Sequence, residues 1–97
     1  MDVIDLFFNE NYKILSIIHD EKSVVKGNHK FAALTQKEIS QKSNISILVV
    51  NRQIQELLSE GYLATCSGKR GLYRTTQKGE MLISGANKIK NKIEKIH

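Results

Sequence analysis

Residues 34–63 read LTQKEISQKSNISILVVNRQIQELLSEGYL, and the fold turns on where the helices in this stretch start and stop. Thr35-Gln36-Lys37-Glu38 has the spacing of a capping box, in which the threonine oxygen accepts from the Glu38 amide while the glutamate reaches back to the threonine amide. A short helix is expected from here to about Lys42, burying Ile39. Ser43-Asn44-Ile45 reads as a tight turn. Ser46 can cap a second helix, which runs to Glu60 before Gly61 ends it.

That second helix opens on four aliphatic residues, Ile47 to Val50, too many for a one-sided helix. Stepping about 100° per residue separates them. Val50, Ile54, Leu57 and Leu58 cluster within one arc, and Ile47 falls on its edge, so Ile47 is expected to touch the core. Leu48, Val49, Arg52, Gln55, Glu56 and Ser59 fall on the other side. Only Leu48 and Val49 then need an outside explanation.

Upstream, Asn9 can cap a first helix, NENYKILSIIHDE, with Ile14, Leu15 and Ile18 on one face. Phe7 and Phe8 are expected to pack on this face or on a second subunit. Residues 22–34, KSVVKGNHKFAAL, carry no helical period, and KGNH at 26–29 is turn chemistry, so the segment reads as a loop with short extended pieces. Downstream of Gly61 the period changes toward extended: YLATCS, a turn GKRG, then LYRTT. This is a two-stranded hairpin with a basic tip, Gly68 and Gly71 flanking Lys69 and Arg70. Thr76 begins a last helix that extends to the C-terminus.

Ninety-seven residues make one domain, 1–97, with its core in 9–79. A chain of this length buries roughly two thirds of its unfolded surface, so a contribution from a partner subunit is expected. No window approaches the ~20 apolar residues that span a bilayer, and the acidic MDVIDLFFNE lacks the basic start of a secretory signal. The chain reads as soluble and cytoplasmic. Cys66 is alone and is expected to be a half-buried side chain; His19, His29 and His97 are scattered without metal-ligand spacing. There is no phosphate-binding Gly-rich loop, no nucleophile beside a base and no paired carboxylates, so neither an enzyme nor a cofactor is expected. Residues 1–21 carry five acids against Lys13, a net of −4, whereas 22–97 carry a net of +9. The later part of the chain is suited to face a polyanion.

The order helix, short helix, three-residue turn, longer helix, basic hairpin, helix resembles the winged helix-turn-helix domain, in particular MarR-like bacterial regulators. The resemblance is carried by residues 34–63 and by TCSGKRGLYRTTQKGEMLI, 65–83, with Tyr73, Thr76 and Gly79 in a "Y-x-x-T-x-x-G" pattern. It implies a mainly α fold with a small β-hairpin wing and a C-terminal dimerisation helix, 76–97, and double-stranded DNA as partner. By that resemblance the helix 46–60 enters the major groove, bringing Ser46, Leu48, Val49, Asn51, Arg52 and Gln55 near bases or phosphates. Arg52 is the best candidate for reading guanine; its bland alternative is a phosphate contact or a pair with Glu56. Thr35, Gln36 and Lys37 would meet phosphate through helix N-terminal amides. Lys69, Arg70 and Arg74 would neutralise the backbone or enter the minor groove. Leu48 and Val49 have three readings: thymine-methyl contacts, an interface with a second subunit or protein partner, or ordinary surface aliphatics.

In the last helix Leu82, Ala86, Ile89, Ile93 and Ile96 recur at spacings of 4, 3, 4 and 3, an a/d seam suited to a second helix. It is expected to dock on its twin and on the first helix; the alternative is that it folds back on its own domain. Three functions compete. The first is a homodimeric transcriptional regulator or repressor. The second is a plasmid or phage centromere-binding partition adaptor that recruits a filament-forming NTPase, a type that can dimerise through the recognition helix. The third is a protein-binding winged helix with no DNA role. Association with a membrane surface is not expected, since the basic last helix has no Trp or Phe anchor.

Overall fold

The computed structural model describes residues 10–66 and 69–95, so the roles expected of Phe7, Phe8, Asn9, Gly68 and Ile96 lie outside the described residues. Within them the chain forms α1 (Glu10–Asp20), β1 (Lys22–Lys26), β2 (His29–Ala33), α2 (Gln36–Ser43), α3 (Ile47–Ser59), β3 (Leu63–Cys66), β4 (Lys69–Thr75) and α4 (Gln77–Lys95). Local chemistry sets the helix ends. Thr35 Oγ1 accepts from the Glu38 amide at 3.1 Å while the Thr35 amide donates to Glu38 Oε1 at 3.1 Å, closing the capping box that starts α2. Asn44 stops α2 in the left-handed region, φ 59°, which asparagine tolerates, and its amide donates to the Ser40 carbonyl. Ser46 Oγ accepts from the Val49 amide to start α3. At its far end Gly61, φ 81°, lets the Tyr62 amide reach the Leu57 carbonyl at 2.9 Å and its own amide reach Leu58 at 3.2 Å, a Schellman pair.

Residues 22–34 are not the loop that the sequence implies. β1 and β2 pair antiparallel with Lys26 opposite His29, leaving Gly27 and Asn28 as a two-residue turn with Gly27 at φ 62°. Glycine at the first loop position supplies the positive φ that so tight a hairpin needs. A register irregularity between Lys22 and Val24 breaks the alternation that would otherwise mark β1. β2 pairs in turn with β4, Ala32 opposite Tyr73, so the expected two-stranded wing is the outer half of an antiparallel sheet ordered β1-β2-β4-β3. The wing itself needs one adjustment: Lys69 already pairs with Cys66, so Lys69 and Arg70 belong to β4 and not to the turn.

The core gathers Ile14, Leu15 and Ile18 from α1, Ile39 from α2, Val50, Ile54 and Leu57 from α3, Leu63 and Tyr73 from the wing strands, and Ile83 from α4. Burying an aliphatic side chain contributes about 1.5–3 kcal/mol, and these residues close the three short helices over the sheet. Ile47 departs from expectation: it is 48% exposed, whereas Val49, expected outside, packs partly on the core. Side chains lean toward their helix N-terminus, which carries a first-turn residue such as Ile47 beyond the elements that cover Val50.

The last helix also departs from the expected seam. Ile83 and Ala86, 2% exposed, are buried within the domain, while Leu82 lies at the surface and Met81 is 69% exposed. Counting around α4, Gly79, Ile83 and Ala86 form the inward face, about 60° from the centre of the 4-3-4-3 seam. Ala86 is therefore covered by its own domain and is withdrawn from the dimerisation set. Tyr12 Oη donates to Asn87 Oδ1 at 2.9 Å, holding α4 against α1. Leu82 remains open and Ile89 is half-buried; the side chain of Ile93 lies outside the described residues.

Candidate nucleic-acid interface

The N-terminus of α2, the outer face of α3 and the middle of β4 converge on one recess of about 320 Å³, lined by Thr35, Gln36, Asn51, Gly71 and Tyr73. A hydrogen bond from the Leu34 amide to the Gly71 carbonyl, 3.1 Å, fixes the wing strand beside the start of α2. Thr35 is occupied by the cap: its hydroxyl accepts from the Glu38 amide and donates to Glu38 Oε1. Its role is to shape the helix start. The amides of Gln36 and Lys37, in the first turn, have no intrahelical acceptor and can receive an anion. Hydrogen bonds from the Thr35 backbone and side chain hold the Glu38 carboxyl below the usual carboxylate range.

At the cap of α3 Ser46 is exposed, as are Leu48, Asn51, Arg52 and Gln55 along the helix. Ser46 is partly committed to its cap. Arg52 makes no ion pair with Glu56 or with any other carboxylate among the described residues, so its guanidinium is available to an outside acceptor. Val49 is half-buried and offers little to a groove. Leu48, 82% exposed, is the aliphatic residue on this helix that most needs a partner. The side chains of Lys69 and Arg70 lie outside the described residues. Arg74 is not part of the recess at the start of α2; it lines a second one together with Lys22, Lys30 and Glu80.

Glu80 anchors a polar cluster that sequence reading missed. Its Oε1 accepts from Thr75 Oγ1 at 2.7 Å and from Lys22 Nζ at 3.1 Å, and its Oε2 lies 2.8 Å from His19 Nδ1. With Nδ1 donating to Glu80, its 3.4 Å approach to Lys22 Nζ is a packing contact. Burial raises the Glu80 carboxyl, but the bonds from Thr75 and Lys22 and the adjacent His19 together bring it below the usual carboxylate range. No short-range signal could have found a pairing between Lys22 and Glu80, 58 residues apart.

Three helices with a three-residue turn between α2 and α3, followed by the antiparallel β3–β4 pair, define the winged helix-turn-helix class. Residues 32–64 match the family model described as winged helix-turn-helix DNA-binding, a span from the end of β2 through α2 and α3 to the start of β3. The fold is similar to the structure of the reduced, Fe(II) CO-sensing protein from R. rubrum, at a TM-score of 0.60 and 20% identity over 84% of this chain. The chain spans 40% of that protein, and the likeness is one of fold. No curated protein matches the sequence. Among the described residues no helix is long and apolar enough to cross a membrane.

Proposed function

We propose that this chain binds double-stranded DNA sequence-specifically as a homodimer and regulates transcription in the manner of MarR-like proteins, without catalysis of its own. The observation that carries this reading is the exposed set Asn51, Arg52 and Gln55 on α3, with Asn51 lining one recess together with Gln36 at the start of α2 and Gly71 of the wing strand. The match of residues 32–64 to a DNA-binding family model supports it. In this reading Arg52 engages guanine through its planar fork, Asn51 and Gln55 read neighbouring edges, and the Gln36 and Lys37 amides hold a phosphate. Lys69 and Arg70 serve the backbone or the minor groove from the wing.

The test is Arg52→Ala. Binding to a selected cognate duplex should weaken about 5- to 150-fold, the equivalent of 1–3 kcal/mol, while binding to random duplex barely changes. Equal losses on both duplexes would make Arg52 a phosphate contact. Absence of any complex at low salt, where counterion release is most favourable, would remove DNA as the partner. A second reading is favoured by the exposure of Ile47 and Leu48 at the start of α3. An apolar pair there suits a recognition helix that also pairs with its twin, as in partition adaptors that recruit a filament-forming NTPase.

A further inference from the structure

We propose that Leu48 packs on the C5-methyl group of a thymine, so that the partner of this face is a duplex with an A·T pair at a fixed place in each half-site; the inference rests on the DNA-binding reading. Leu48 is the second residue of α3 and, at 82%, the most exposed large hydrophobic side chain among the described residues. Stepping about 100° per residue, Leu48, Asn51, Arg52 and Gln55 share one arc of about 100° on the exposed side of the helix. Ile47 stands about 100° away from Leu48, off that stripe. Val49 packs partly on the core. Leu48 is therefore a single apolar side chain at the head of a polar stripe, and its neighbours along the helix surface are Asn51 and Arg52, three and four residues on.

The make-up of this stripe selects its cover. An apolar protein surface laid over Leu48 would also strip water from Asn51, Arg52 and Gln55, and three polar side chains left without partners cost more than one leucine returns. A major groove supplies both kinds of contact side by side, since an A·T pair presents adenine N7 and N6, thymine O4 and the thymine C5-methyl group. An asparagine carboxamide pairs with adenine N6 and N7 while an apolar side chain meets the methyl, so Asn51 and Leu48 both suit A·T pairs and Arg52 suits guanine. Helix residues three or four apart have Cβ atoms about 5–6 Å apart and bases on one strand rise by about 3.4 Å, which places the thymine within about two steps of that guanine. Position agrees with this assignment. Asn51, at one edge of the stripe, lines a recess together with Gln36 at the start of α2 and Gly71 of the wing strand. The first turn of a recognition helix is the part that reaches base edges, where a side chain as short as leucine can touch a methyl group.

The experiment selects a duplex from a random pool with the full chain, then replaces its thymines one at a time by deoxyuridine, which removes the C5-methyl group and leaves the hydrogen-bonding edge unchanged. Affinities of the parent and of Leu48→Ala are compared at one salt concentration, because phosphate contacts make every affinity salt-dependent. At one thymine in each half-site, deoxyuridine should weaken binding of the parent about fourfold, the effect of one buried methyl group. Leu48→Ala should bind the thymine and deoxyuridine duplexes alike, and Leu48→Met, which conserves volume, should restore part of the difference. In sedimentation equilibrium Leu48→Ala should match the parent. A selected duplex in which every thymine can be replaced without loss, an equal loss in Leu48→Ala, or a lower association state of Leu48→Ala overturns this proposal and leaves DNA binding standing. Selection that enriches no duplex overturns the DNA-binding reading and this proposal with it.

Discussion

Gly79 is a position where the fold has no room for a side chain. A Cβ there would lie 2.4 Å from the Tyr62 carbonyl oxygen, which already accepts the Thr76 amide at 3.1 Å. The neighbouring groups reinforce the joint: Thr76 Oγ1 donates to the Gly61 carbonyl at 2.6 Å, and Lys78 Nζ donates to the Glu60 carbonyl while lying 4.3 Å from the centre of the Tyr62 ring. Backbone thus meets backbone, and neither side can withdraw without opening the joint between the connection from α3 to β3 and the start of α4. Gly79→Ala gains up to about 1 kcal/mol in helix propensity, but the clash should dominate and leave a net loss of about 1–3 kcal/mol. Urea unfolding measures it, and a variant as stable as the parent would show that the joint yields. The same geometry explains why glycine closes the Tyr73, Thr76, Gly79 pattern: threonine caps α4 and the third position lets the helix approach Tyr62. Asn44 differs, since its left-handed φ of 59° leaves glycine as an easy replacement and a β-branched residue as a strained one.

At the scale of elements, the cluster around Glu80 ties the end of α1, the start of β1, the end of β4 and the first turn of α4 to one carboxylate. Because the folded state holds the Glu80 carboxyl below its ordinary value, the stability it confers is present above the unfolded carboxylate range and is lost as pH falls through the folded value. Stability should therefore decline on acidification, and Glu80→Gln should cost about 1 kcal/mol near neutrality, a figure kept small because the side chain is over a third exposed. Denaturation followed from pH 7 downward checks this: the acid limb should be shallower in the variant, and parallel limbs would contradict it. Elements whose limits are set by nearest neighbours were legible in the sequence, namely the capping box at Thr35, the turn at Asn44, the stop at Gly61, the inward face of α1 and, Ile47 and Val49 apart, that of α3. What stayed hidden depends on distant partners. β1 and β2 gain their pairing from β4 as well as from each other, and Lys22 meets Glu80 only once the sheet has formed. Ile83 was passed over for a related reason, because a 4-3-4-3 count fixes one seam and α4 carries apolar residues over a wider arc. In the candidate interface, the outward placement of Arg52 and Gln55 could be read from helical phase and Asn51 came only with the winged-helix resemblance, whereas the placement of Arg74 required knowing which strand ends lie together.

For the molecule as a whole the question is what covers the outer side of α4. Its inward face is satisfied by the domain through Ile83 and Ala86, yet Met81 and Leu82 stand at the surface beside Tyr62, around a shallow hollow that includes Gln77 and Lys78. A small domain with a limited core gains from covering such a patch, and a second copy of the chain, related by a two-fold axis, would present the same patch in return. In the homodimeric reading this contact also sets the spacing between two α3 helices, which must match half-sites about one helical turn of DNA apart. Leu82→Asp should then yield a monomer in sedimentation equilibrium at concentrations where the parent is dimeric. Its affinity for an isolated half-site should be unchanged, while its affinity for the paired site should fall toward that of the half-site, because the second binding event is no longer intramolecular. A parent that is monomeric at tens of micromolar would remove the homodimer; if the parent is dimeric and Leu82→Asp remains a dimer while Leu48→Asp does not, the twin is joined at the start of α3 instead, and the exposed end of that helix becomes the subunit contact.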